Sequence, residues 1–153
     1  MKIRARSTSS RAAVRPPDAD TGPDGSLELA AAAARGNAYA PYSAYLVGAA
    51  VRTSSGRVFT GANVENASYG LTLCAERAAI AAAVNAGERR LAAIAVVTQS
   101  EPPAAPCGMC RQTLAEFAGD DLEIVLVSAS GKRLKTTLGA LLPHAFRPAA
   151  LGK

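Results

Sequence analysis

Three cysteines and one glutamate carry the chemistry that this sequence can do. Cys74-Ala75-Glu76 is followed about thirty residues on by Pro106-Cys107-Gly108-Met109-Cys110, and the two runs hold every cysteine of the chain. A structural zinc site closes the metal with four protein ligands, whereas a catalytic site uses three and keeps a position for water. There is no fourth cysteine, and the only histidine, His144, lies far down the chain in a Leu-Pro context. The reading is therefore one zinc ion held by Cys74, Cys107 and Cys110, with Glu76 beside it as a proton carrier.

The spacing places these groups at helix starts. Cys74 falls in the first turn of a helix expected over 73–85, and Cys107 and Cys110 in the first turn of another over 108–118. Helix N-termini favour thiolate over thiol, and residues three apart on a helix can grip one ion. Three thiolates on a divalent cation leave a net negative charge, which makes the metal a poor acid for its water. Arg77 and Arg111 directly follow the two runs, and hydrogen bonds from either to a ligand sulfur would draw charge back; the alternative for both is a surface ion pair. Glu76 is either a first-turn glutamate complementing the helix dipole or the carboxylate that moves a proton from water to a leaving amine. In the second role, burial and nearby thiolates would raise its pKa.

The elements around them follow in order. Residues 1–25 are rich in Arg, Ser, Pro and Asp without apolar period and read as a disordered extension, although the acid-free first seventeen also have the composition of a transit peptide. Ser26 is a candidate N-cap for a helix over 27–35. A proline-broken aromatic loop over 39–45 leads to a hairpin of strands 46–53 and 58–64, with Gly61 marking a bulge or a close backbone approach. Residues 65–72 are a polar loop, and Gly87 is the C′ residue of the next helix. Residues 91–98 read as a strand buried on both faces, 99–106 as a proline-rich loop, 122–127 as another buried strand, 130–133 as a turn before a short edge strand, and 138–142 as a last short helix. Strands alternating with helices give an α/β domain over 26–153, with helices on both sheet faces. The Cys107 loop then lies at the carboxyl end of a strand, where such sheets build their sites.

Composition bounds the rest. A length of 153 residues suits one domain. The hydrophobic fraction of 49% is largely alanine and only 5% of residues are aromatic, which suggests closely packed small-residue helices and further burial between subunits. Of the net charge of +5, the first 25 residues contribute five Lys/Arg against three acids. No dense basic stripe indicates nucleic-acid binding. The odd number of thiols fits metal ligation in a reducing compartment. No stretch is long and apolar enough for a membrane span or a signal-peptide core, so a cytoplasmic location is the expectation.

Zinc-dependent nucleobase deaminases use this donor set, three cysteines with a non-ligand glutamate. Residues 41–50 (PYSAYLVGAA), 61–70 (GANVENASYG), 74–77 (CAER), 106–112 (PCGMCRQ) and 141–146 (LLPHAF) together resemble the small homotetrameric cytidine deaminases from about residue 27 to 151. The resemblance implies a three-layer α/β/α fold with a mixed five-stranded sheet, one zinc per subunit, and hydrolysis of cytidine and deoxycytidine to uridine and deoxyuridine with release of ammonia. It implies that Glu76 also hydrogen-bonds the ring N3 and exocyclic amine, that the Ala75 backbone contacts the pyrimidine carbonyl, and that Asn63 and Glu65 bind the ribose 3′-hydroxyl. Taken alone, Asn63 would be a turn residue and Glu65 a solvated charge. Phe146 matches an aromatic that reaches into a neighbouring subunit's pocket, with core packing as the alternative, and Tyr69 an interface tyrosine. Tyr45 stands where the family usually has a base-stacking phenylalanine, and its hydroxyl needs a partner. His144 is assigned to the surface.

Two other readings compete. One keeps the chemistry and changes the substrate, as in the blasticidin S deaminases, which lack the Asn63-Val64-Glu65-Asn66 pattern. The other is a non-catalytic zinc module that binds RNA or a protein through its basic segments; for the motif itself the bland alternative is a structural zinc knuckle completed by His144.

Overall fold

The computed structural model describes residues 26–152; the expected N-terminal extension lies outside them. The chain runs α1 (Ser26–Arg35), β1 (Gly48–Thr53), β2 (Val58–Ala62), α2 (Ala75–Asn85), β3 (Leu91–Thr98), α3 (Gly108–Phe117), β4 (Glu123–Ser128), β5 (Arg133–Thr137) and α4 (Leu138–Leu141). The five strands form one sheet in the order β2-β1-β3-β4-β5. β3 and β4 are parallel and every other neighbour is antiparallel, so the sheet is mixed, as expected.

Alternation along the strands makes two cores. Ala49, Val51, Ile94, Val96, Ile124 and Leu126 point to the face covered by α2, α3 and α4. Ala50, Ala95, Val97, Val125 and Val127 point to the other face and meet Leu27 and Ala31 of α1. Having strands buried on both faces explains why β3 and β4 read as continuous apolar runs. Small residues let the layers approach closely. Gly48 of β1 lies against the backbone of α1, and Gly61 of β2 against that of α2, the close approach that Gly61 led us to expect.

Where element limits differ from expectation, a hydrogen bond accounts for it. Leu46 and Val47 stop short of β1 because the Val47 N–H donates to the Asn63 side chain (2.9 Å) instead of to a strand. Val64 leaves β2 to exchange backbone bonds of 2.9 Å with Leu73. Leu73, expected to begin α2, is therefore extended, and Cys74 becomes the N-cap instead of a first-turn residue. Cys107 is likewise the N-cap of α3. Ser26 lies inside α1. Two 3-10 turns, Tyr69–Leu71 and Pro148–Leu151, were not legible in the sequence. Gly87 does follow the C-cap of α2, in the left-handed region at φ 93°.

Candidate active site

The topology brings five chain segments together at one end of the β2, β1 and β3 strands. Gly48 at the start of β1 pairs both with Ala62 at the end of β2 and with Val97 near the end of β3. The approach to β1, the exit from β2 and the exit from β3 therefore meet, and the starts of α2 and α3 join them. Tyr45, Asn63, Glu65, Cys74, Ala75, Glu76 and Cys107 line one cavity of about 240 Å³ there, with Val96, Thr98, Ala104 and Ala105 supplying apolar wall.

The sulfurs of Cys74, Cys107 and Cys110 all lie within 4.8 Å of one another, and those of Cys74 and Cys107 are 3.9 Å apart. Tetrahedral zinc with Zn–S bonds of about 2.3 Å sets its sulfurs about 3.8 Å apart, so the cluster fits the ion. His144 is exposed and outside this cluster. The Cys74 thiol is acidified to about 5, through a hydrogen bond from Cys110 and the guanidinium of Arg77. Cys110, fully buried, is pushed up because it donates to that thiolate and is desolvated. Packed together, the thiols hold one charge readily and the next with difficulty, the electrostatics of a site made to share its charge with a cation.

Arg77 lies against the cluster. Its Nη2 donates to the Thr72 carbonyl at 2.8 Å and contacts Cys74 Sγ at 3.9 Å, while its buried Nε has no hydrogen-bond partner. A buried donor without a partner is costly, and here it belongs to the cation beside the thiolates. Arg111 acts differently from expectation. Its guanidinium donates to the carbonyls of Pro106 (2.7 Å) and Leu141 (2.9 Å), not to a sulfur, and so fixes the backbone entering Cys107.

Glu76 is 5% exposed. Burial raises its pKa and the neighbouring Cys74 charge adds to the effect, the direction required of a carboxyl that must take up and release a proton. Asn63 spends its carboxamide on the chain: Oδ1 accepts from Val47 N–H and Nδ2 donates to the Tyr45 carbonyl at 2.8 Å. Glu65 accepts from the amides of Tyr42 (2.9 Å) and Ser43 (3.2 Å) and from the Ser43 hydroxyl, which lowers its pKa, the hydroxyl contributing most. Tyr45 finds its partner in the Ser100 hydroxyl.

Two residues singled out in the sequence stand apart from the cavity. The Phe146 side chain is 60% exposed, so it does not pack in the core, and its carbonyl accepts from Gln112 Nε2. Tyr69, 76% exposed, meets Tyr42 edge-on at 6.0 Å beside an adjoining recess. Ser43 and Ser100 were missed. Ser43 sits in the Pro41–Tyr45 motif and could have been suspected; nothing local marks Ser100.

The sequence model of the cytidine and deoxycytidylate deaminase zinc-binding region matches residues 24–126. A cytidine deaminase of Halalkalibacterium halodurans is 49% identical over 113 residues, 74% of this chain and 86% of that protein. One from Mycobacterium tuberculosis is 48% identical over 113 residues, 74% of this chain and 81% of that protein. The crystal structure of cytidine deaminase from Burkholderia pseudomallei, 54% identical, superposes with a TM-score of 0.76 over 78% of this chain and 96% of that one. The family model runs from α1 into β4 and includes both cysteine runs, and the chain belongs to the zinc-dependent cytidine and deoxycytidylate deaminase family.

Proposed function

We propose that this chain hydrolyses cytidine and 2′-deoxycytidine to uridine and 2′-deoxyuridine, releasing ammonia. The observation that carries the reading is the buried Glu76 carboxyl beside three sulfurs within 4.8 Å of one another, in one cavity.

Cys74, Cys107 and Cys110 would hold one zinc ion per subunit. When bound, zinc supplies the Lewis acidity that makes a water nucleophilic at neutral pH. Glu76 accepts the proton of that water, hydrogen-bonds ring N3 and the exocyclic amine, and delivers protons to the nitrogen that leaves as ammonia. The Ala75 backbone holds the pyrimidine carbonyl, the Tyr45 ring stacks on the base, and Asn63 and Glu65 face the ribose 3′-hydroxyl. Glu65, whose pKa the Ser43 hydroxyl holds below the ordinary carboxylate range, accepts from the ribose hydroxyl as a carboxylate. The cavity's apolar wall of Val96, Ala104 and Ala105 excludes water and strengthens these contacts.

The reading extends to the assembly. The exposure of the Phe146 and Tyr69 rings supports a homotetramer in which neighbouring subunits cover them and Phe146 completes another subunit's site. Free thiols suit a reducing cytoplasm and a role in pyrimidine salvage; no described helix is long and apolar enough to cross a membrane.

The test is conversion of cytidine by zinc-loaded protein, followed by the ultraviolet change to uridine, with blasticidin S as the competing substrate. Glu76→Gln is expected to lose about 10²–10⁴ in kcat while keeping its zinc. Turnover of blasticidin S but not cytidine would redirect the substrate, and partner binding without any turnover would support the non-catalytic module.

A further inference from the structure

Tyr45 lines the cavity and Ser100 does not, yet their hydroxyls are hydrogen-bonded across 55 residues of chain. Tyr45 stands on the segment entering β1. Ser100 stands just beyond β3, on the loop that continues through Ala104 and Ala105 of the cavity wall to Cys107. The bond therefore ties the ring wall of the site to the loop that leads to the metal ligands.

Both ends of this tie are held. On the Tyr45 side, Ala44 adopts the left-handed region at φ 54°, a strained state for a residue with a Cβ that persists only when its neighbours fix it. Those neighbours are Ser43, bonded to Glu65, and Tyr45 itself, whose carbonyl accepts from Asn63. Arg35 Nε donates to the Leu46 carbonyl at 2.9 Å. On the Ser100 side, Glu101 accepts from the Ser130 hydroxyl and pairs with Lys132 Nζ at 3.1 Å, anchoring the loop to the β4–β5 turn. Farther along the same loop, Arg111 fixes the Pro106 carbonyl. The metal end thus has an anchor of its own, independent of Ser100.

We propose that Ser100 is a positioning residue for the Tyr45 ring and sets the affinity of the site for its base without touching it. This rests on reading the cavity as a pyrimidine nucleoside site. The phenol oxygen lies on the axis of the ring's own rotation, so a hydrogen bond to it holds the first side-chain torsion and with it the place where the ring stands. Without that bond the ring must be ordered when the base binds, a cost equivalent to about threefold to tenfold in affinity. The chemistry, set by Glu76 and the separately anchored cysteines, is spared.

The experiment is a double-variant cycle of Ser100→Ala, Tyr45→Phe and the two together, with Ser100→Thr as the conservative control. KM and kcat are measured for cytidine, Kd for uridine by calorimetry, and zinc per chain by elemental analysis. Ser100→Ala is expected to raise KM and Kd about threefold to tenfold, with kcat within about twofold and zinc retained. Ser100→Thr is expected to behave as wild type, and adding Ser100→Ala to Tyr45→Phe to change nothing further. An unchanged KM and Kd in Ser100→Ala, effects that multiply in the double variant, or a fall in zinc content and kcat together would each overturn the proposal. A wild-type chain that neither converts cytidine nor binds uridine would instead overturn the functional reading beneath it.

Discussion

Gly61 of β2 and Ala75 at the start of α2 are in backbone contact. A Cβ on Gly61 would lie 2.5 Å from the Ala75 carbonyl oxygen and 2.4 Å from the Ala79 nitrogen. The helix that presents Cys74 and Glu76 is seated on the sheet at this point, and neither backbone can yield without moving the site. Gly61→Ala is expected to cost about 1–3 kcal/mol by overpacking and to lower both zinc content and turnover. Thermal melting with zinc analysis checks this; a variant as stable and as zinc-replete as wild type would show that α2 is not held there.

Asn63 makes a second mechanical link. Its carboxamide accepts from Val47 N–H and donates to the Tyr45 carbonyl, and the side chain is buried. Asn63→Ala removes two hydrogen bonds worth about 1 kcal/mol each. The expected outcome is about 2 kcal/mol lower stability together with a raised KM for cytidine, because the Tyr45 segment loses its anchor and, in the proposed function, the ribose loses a partner. A rise in KM with no loss of stability would leave Asn63 a substrate contact only.

The chemistry was more legible than the mechanics. The three cysteines could be grouped because ligand type and ligand number are written in the residues themselves, and Glu76 is buried beside them. The cores of β3 and β4 were legible because burial on both faces leaves an unbroken apolar run, and Gly61 because a glycine inside a strand needs a reason. What failed depended on contacts distant in sequence. The Val64–Leu73 exchange moves the start of α2 past Cys74, and the Asn63 side chain displaces a strand partner from Val47. Arg111 was placed at a sulfur by adjacency, whereas Leu141, thirty residues away, draws it to the backbone. The Tyr45 hydroxyl announced that it needed a partner, but nothing near it in the chain pointed to Ser100.

Acid should weaken the fold through three glutamates. Glu65, Glu88 and Glu101 are all held below the ordinary value of 4.5, chiefly by the hydroxyls of Ser43, Ser55 and Ser130 respectively. A carboxylate depressed in the folded state stabilises it fully above the unfolded pKa, and that contribution is lost as pH falls through the folded pKa. The contribution of these three, read as the difference in midpoint between wild type and Glu→Gln variants, is expected to stay level between about pH 7 and pH 5 and to decline below about pH 4.5. Glu101→Gln should lower the neutral midpoint and flatten the acid decline. A difference that grows on acidification would contradict the sign.

The central claim is that three cysteines hold one zinc ion on which conversion of cytidine depends. The most direct measurement is cytidine turnover by protein stripped with a chelator and titrated with zinc. Turnover is expected to vanish on stripping and to return in proportion to added metal, reaching its plateau at one zinc per chain. Full turnover by metal-free protein, or a stripped protein that binds one zinc per chain and still leaves cytidine unchanged, would contradict it.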